Sequence, residues 1–264
     1  MASVSEDDQY PRPVVRFPAP GVRGRLPLPP MWRESRLGLE YLALIRDPIY
    51  YGRGVPRGNG RPVLLIPGFL AGDASLNVLA GWLRRMGYRP KLSGISFNIR
   101  YSEVTLGGVI ARLSAQADAG RKVILIGHSR GGLIAKVVGD RHPDLVERVI
   151  ALGSPLAEVF DIHPLLMAGV HAARIYNFVR FGTRWEVEQA FLDELAAPPK
   201  VPVTSIYSKS DGVVNWKACL RDDVQTLEVG GSHGGLAVNA EVYRALGRLF
   251  RARSSSPAPT PASA

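Results

Sequence analysis

Apolar positions along this chain switch repeatedly between two periods. Residues 61–67 carry the run Val63-Leu64-Leu65-Ile66 with no polar alternation and end at Gly68, the pattern of a strand buried on both faces. The period then changes. Leu76, Leu79, Ala80, Leu83 and Met86 recur at helical spacing, which predicts an amphipathic helix that Asp73 can cap and Gly87 can end. An extended segment over 90–95 precedes a second helix over 103–119, with Leu106, Val109, Ile110 and Leu113 on one stripe. Residues 122–126 then read as a central strand and 131–138 as a helix. Strands are predicted over 146–152, 201–207 and 224–229, and a closing amphipathic helix over 239–250. This alternation specifies an α/β fold, a mainly parallel sheet with helices on both faces.

The ends of the chain break the pattern. Residues 1–30 hold Pro11, Pro13, Pro18, Pro20, Pro27, Pro29 and Pro30 with four arginines among them, which argues for an extended arm. Trp32, Leu37, Tyr41, Leu42, Leu44 and Ile45 then recur at near-helical spacing, predicting a leading helix over 31–46 that Asp47-Pro48 stops. The last residues, 253–264, are almost entirely Ser, Pro, Ala and Thr and are expected to be a disordered tail. Inside the domain, 155–199 contains no convincing strand but does contain a helix, which Thr183-Arg184-Trp185-Glu186 opens as a capping box. Such an insertion leaves the end of a strand and overhangs the crevice where open sheets bind ligands, so it is expected to form a small helical lid.

Composition narrows the classes. At 264 residues and 46% hydrophobic the chain fits one large globular domain or two small ones, and no apolar run approaches the roughly 18 residues that cross a bilayer. No secretory signal is readable in the acidic start, so cytoplasmic residence is the expectation. Cys219 is the only cysteine, so no intrachain disulfide forms, and no Cys/His cluster has zinc spacing. The net charge of +10 favours anionic partners. The arginines are scattered without a recognition motif, which argues against specific nucleic-acid binding; covering the sheet edge, dimerisation and weak contact with an anionic membrane surface are the alternative roles for the basic arm. Oligomeric state is not encoded legibly.

The chemistry-bearing residues lie where predicted strands end. Gly127-His128-Ser129-Arg130-Gly131 matches G-x-S-x-G; chance supplies about 0.2 matches per chain of this composition. Its position between a buried strand and an amphipathic helix is the context the motif demands. A sharp strand-to-helix turn needs glycines around the serine, and a helix beginning there aims unpaired N–H groups at any nearby negative charge, which makes the Arg130 N–H an oxyanion donor candidate. A serine nucleophile needs a base oriented by an acid. Asp211 follows the strand over 203–207 and His233 follows the strand ending at Val229, which puts both at the same sheet edge as Ser129.

These pieces, together with Pro67-Gly68-Phe69 and the stretch Arg141-His142-Pro143-Asp144-Leu145-Val146, resemble the α/β-hydrolase superfamily, and within it the serine lipase and esterase branch. The resemblance implies a hydrolase domain over 61–252 with the insertion 155–199, preceded by the arm and leading helix over 1–60. It implies Ser129 as nucleophile, His233 as general base and then acid, Asp211 as the residue orienting His233, and the N–H groups of Phe69 and Arg130 as the oxyanion hole. Where many relatives carry His-Gly, this chain has Pro67-Gly68. The implied reaction is hydrolysis of a carboxylic ester through an acyl-enzyme, with no metal or organic cofactor. Amide, thioester and polyester cleavage by the same residues, and a non-catalytic interaction protein on the same scaffold, are the alternatives.

Rivals for these roles are weaker. His142 precedes a proline between a helix and a strand, His163 and His171 follow no sheet strand, Asp222 and Asp223 precede a strand rather than end one, and Cys219 reads as a small apolar residue. Leu70, Leu156 and Phe160 are the candidate substrate-binding residues. With Leu165, Leu166, Met167, Val170, Phe178 and Phe181 from the insertion they suit a small apolar ester, although at least half of the insertion's apolar residues are expected to pack within the lid.

Overall fold

Six strands form one sheet in the order β2-β1-β3-β4-β5-β6, every neighbouring pair parallel: β1 (Pro62–Ile66), β2 (Arg89–Leu92), β3 (Val123–His128), β4 (Val146–Leu152), β5 (Val203–Ser208) and β6 (Gln225–Val229). The computed structural model describes residues 31–100, 102–117, 121–182 and 185–251. The arm over 1–30, the tail over 253–264 and the Thr183-Arg184 start of the proposed capping box lie outside the described residues.

The unalternated apolar runs have the reason inferred for them. Along β1, Val63 and Leu65 enter one apolar layer while Leu64 and Ile66 enter the other, and β3 divides Ile124 and Ile126 from Val123 and Leu125 in the same way. The first layer is filled by α2 (Asn77–Arg85) and α7 (Ala240–Arg251), where Trp82 packs on Tyr243 with ring centroids 4.6 Å apart and donates its indole N–H to the Ile49 carbonyl. The second is filled by α3 (Ser102–Gln116), α4 (Arg130–Arg141) and part of α6 (Trp185–Ala196). Because all six strands run the same way, their carboxyl ends share one rim.

Three local expectations need correction. Asp73 does not cap its helix: its carboxylate reaches back to accept from Ser93 Oγ and the Gly94 N–H, and a 3₁₀ turn over Asp73–Leu76 leads into α2. The leading helix exists, as a 3₁₀ turn over Met31–Arg36 followed by α1 (Leu37–Arg46), but of its apolar residues only Leu44 is buried, while Trp32 and Leu39 are about 70% exposed. Leu44 enters the first apolar layer, and the polar side chains of Glu34 and Glu40 make further contacts with the domain. Within the insertion, the 18-residue α5 (Pro164–Phe181) was not anticipated. It opens with His163 as N-cap and Pro164 in its first turn, and closes at Gly182, whose φ of 62° suits a residue without Cβ. Leu165, Phe178 and Phe181, expected to line a pocket or the lid's own core, face outward from it.

The insertion is fixed at its far end by charge. The buried Lys136 ammonium donates to the Glu194 and Ala197 carbonyls at the carboxyl end of α6 and pairs with Asp140 at 2.7 Å. Arg141 bridges Glu194 and Glu103, and Arg221 donates to the Leu195 carbonyl. No described helix is long and apolar enough to cross a membrane.

Candidate active site

The turn from β3 into α4 is as tight as the glycine spacing requires. Ser129 sits at φ 52° and ψ −123°, a region few L-residues enter and one that costs about 1–3 kcal/mol. A Cβ at Gly131 would lie 2.1 Å from the Ile66 carbonyl oxygen, and one at Gly127 would lie 2.2 Å from the Gly131 carbonyl oxygen. Neither position admits a side chain. The Ser129 N–H donates to the Leu152 carbonyl at 2.7 Å, which locks the turn onto the end of β4. On its other side, a Cβ at Gly68 would stand 3.1 Å from Ser129 Cβ, so the loop carrying Phe69 starts beside the serine.

Asp211 and His233 are brought together. The imidazole Nδ1 of His233 and Asp211 Oδ2 are 2.7 Å apart, and Asp211 Oδ1 accepts the N–H groups of Val213 and Val214 at 2.8 and 2.7 Å. Both residues are buried. The pair packs on Gly153, where a Cβ would come within 3.2 Å of His233 Nδ1 and 3.3 Å of Asp211 Oδ2. Gly153 follows Leu152, the residue that holds the Ser129 N–H, so serine and imidazole share the rim of β3 and β4. The Ser129 hydroxyl makes no hydrogen bond to His233 in this structure.

His128, the variable residue before the serine, forms a link that sequence reasoning missed. Its Nε2–H donates to the His233 backbone carbonyl at 2.9 Å and its ring lies 4.8 Å, centroid to centroid, from the His233 ring. Burial, reinforced by the neighbouring His233, lowers its pKa from 6.5 to about 4. For His233 burial opposes the charged form too, but the charge and hydrogen bond of Asp211, joined by the charge of Glu34, outweigh it and raise its pKa above 6.5.

The loop after β1 is braced by Asn98, also missed. Its Nδ2 donates to the Pro67 carbonyl at 2.8 Å, its backbone carbonyl accepts the Leu70 N–H at 3.3 Å, and its Oδ1 accepts from the Arg130 guanidinium. This bracing holds the Pro67-Gly68 turn. It also joins the Phe69 loop to the residue after Ser129. Leu70, at φ 60°, is partly exposed beside α5, where a Cβ at Gly169 would meet Phe69 at 3.5 Å. Phe160 is half-buried under the Arg174 guanidinium, and Leu156 is buried within the α3–α4 layer.

The discarded residues have other occupations. His163 caps α5, Asp223 pairs with Arg221, and Cys219 is buried with its thiol pKa pushed well up, chiefly by desolvation. His142 ends α4.

Solved structures agree with this architecture. The chain is similar to the mature lipase of Bacillus licheniformis, with TM-score 0.55 and 18% identity over 74% of this chain and 94% of that one. An α/β-hydrolase enzyme from a metagenome of Mar Chica lagoon sediments gives TM-score 0.52 and 18% identity over 75% and 94%. The fold is that of an α/β-hydrolase. The monoacylglycerol lipase of Paleococcus ferrophilus gives TM-score 0.51 and 16% identity over 73% and 96%. Residues 99–196 match a family model described as a PGAP1-like alpha/beta domain. That match takes in the turn at Ser129 and the insertion as far as residue 196, but neither Asp211 nor His233. No curated protein matches the chain in sequence.

Proposed function

We propose that this α/β-hydrolase is a serine carboxylesterase acting on apolar, lipid-like acyl esters. Ser129 attacks the ester carbonyl as His233 takes its proton, and Asp211 holds the imidazole in the tautomer that presents Nε2. The Phe69 and Arg130 N–H groups receive the oxyanion. His233 then protonates the leaving alcohol, and the acyl-enzyme is released by a water that His233 activates. The observation that carries this reading is the buried Asp211–His233 hydrogen bond at 2.7 Å, set on the strand end that also anchors the strained Ser129 turn. Rotation of the serine hydroxyl toward Nε2 closes the remaining link on substrate binding, as resting sites often require. Leu70 and Phe160, with Leu156 behind them, supply an apolar wall for the acyl group, and α5 is a lid over it.

Hydrolysis of p-nitrophenyl esters of graded acyl length is the test. Ser129→Ala is expected to lose at least about 10³-fold in kcat, and a serine-directed phosphonate is expected to label wild type at Ser129. Equal rates in wild type and variant would defeat the assignment. Acyl donors matched in chain but differing in leaving group separate ester from amide and thioester cleavage.

A further inference from the structure

Four backbone N–H groups of the loops bearing Asp211 and His233 converge on two carboxylates from the opposite end of the chain. Glu34 Oε1 accepts the N–H of Gly212 at 3.0 Å and that of His233 at 2.8 Å, and Glu34 Oε2 accepts the N–H of Gly234 at 2.8 Å. Glu40 Oε1 accepts the N–H of Ser232 at 2.8 Å, while Ser232 Oγ donates to Oε2 at 3.2 Å. The glycines of the loop over 230–235 make room for them. A Cβ at Gly235 would lie 1.4 Å from Glu40 Oε2, inside the carboxylate, and one at Gly234 would lie 3.3 Å from Leu37. Arg33 adds a longer contact to the Lys209 carbonyl on the Asp211 loop.

We propose that Glu34, supported by Glu40, is a positioning residue: the segment over 31–46 is a carboxylate clamp that sets the spacing of the acid and base loops and so the aim of the His233 imidazole. The inference rests on the assignment of Ser129, Asp211 and His233 as the reacting groups. What separates a clamp from ordinary anchoring is that one side chain holds both loops at the residues that matter. Glu34 takes the N–H of His233 itself and that of the residue after Asp211, so slack in it changes the Asp211–His233 distance directly. Geometry of this kind is worth much in rate, because a displacement of about 1 Å at a reacting group costs on the order of 10²-fold. It also explains why a helix whose apolar residues are mostly exposed stays on the domain. The groups facing His233 are Asp211 from its own rim, His128 from the serine turn and Glu34 from the clamp, and Glu34 is the one contributed from outside the sheet. Its charge acts with that of Asp211 to favour the protonated imidazole.

The test uses the full chain with Glu34→Gln, Glu34→Ala and Glu40→Gln. With ester substrate, Glu34→Ala is expected to lose about 10–100-fold in kcat with KM changed less than about 2-fold, and Glu34→Gln, which keeps one acceptor oxygen, to lose less. The acidic limb of kcat/KM moves to lower pH in both Glu34 variants. In proton NMR the His233 Nδ1–H resonance shifts or broadens, a readout that needs no catalysis. A Glu34→Ala protein of wild-type melting temperature with unchanged kcat, limb and Nδ1–H resonance overturns the proposal. So does a loss of rate in all three variants that follows only the melting temperature. Absence of Ser129-dependent hydrolysis in wild type would instead remove the catalytic assignment, and the NMR readout would still decide whether the clamp sets the pair.

Discussion

His128→Gln probes the serine turn without replacing Ser129, Asp211 or His233. His128 is neutral in the folded protein because burial and the adjacent His233 lower its pKa from 6.5 to about 4. A depressed pKa contributes stability that is fully present above the unfolded value and is lost as pH falls toward the folded one. The window is therefore about pH 6.5 down to about 4. The shift of about 2.5 units corresponds to about 3 kcal/mol in full, and about 2 kcal/mol of it is lost between pH 7 and pH 4.5. Glutamine reaches almost as far, keeps a donor for the His233 carbonyl and does not titrate. Urea unfolding at closely spaced pH values is the assay. The difference in unfolding free energy between wild type and His128→Gln should favour wild type most at neutral pH and shrink by about 2 kcal/mol on acidification to pH 4.5. Contributions from titrating groups remote from His128 cancel in that difference. Parallel stability curves for the two proteins would refute the reasoning, since they would mean that the imidazole titrates alike in the folded and unfolded states.

Three further outcomes follow from the same geometry. Asp211→Asn should cut kcat by about 10³–10⁴-fold by analogy with other triads, and the residual activity should keep its acidic limb at lower pH, because His233 loses the partner that raises its pKa; a limb unmoved in the kcat/KM profile would contradict this. Asn98→Ala removes the amide that ties the Pro67 carbonyl to the Arg130 guanidinium and should lower kcat by about 10–100-fold, measured with a short-chain p-nitrophenyl ester, at a stability cost of about 1–3 kcal/mol. Lys136→Met removes the donor to the Glu194 and Ala197 carbonyls and leaves the buried Asp140 charge with only the Lys200 N–H and no ion-pair partner, which should cost about 3–5 kcal/mol in urea unfolding.

The strands and the helices packed on them were legible because each carries its own periodic signal. A parallel strand covered on both faces must be continuously apolar, and the expected strand over 146–152 coincides with β4. The serine turn was legible because glycine is the only residue that fits between Ile66, Gly127 and Gly131 there. What was hidden are side chains that act across the chain. Glu34, Glu40, Asn98 and His128 reach partners at separations from 31 to 200 residues, and no local pattern encodes such a bond. The α1 stripe was misleading for a related reason: its apolar residues do give the helix, but its carboxylates decide which way it faces. In α5 the apolar residues lie all around the helix, so periodicity could not say which of them would be covered, and Asn177 alone is fully buried.

The rim thus draws its order from outside the sheet as well as from within it. Parallel strands bring six loops to one edge but leave each free to move on its own, and the proposed site for acyl transfer needs donors fixed before charge develops. Here the fixing is done by bonds that cross between loops. His128 ties the serine turn to the base loop, Glu34 ties the base loop to the acid loop, Asn98 ties the loop of Phe69 to Arg130, and paired backbone bonds of Asp161 and His163 with the residues after Asp211 tie the acid loop to the start of the insertion. Each of these links satisfies buried or half-buried polar groups that would otherwise cost about 1–3 kcal/mol apiece. The strain held at Ser129 is of the same size and persists because the surrounding bonds leave the turn no relaxed alternative. Loosening any one link therefore acts on the reacting geometry more strongly than on the fold, whose two apolar layers lie beneath and are untouched by it.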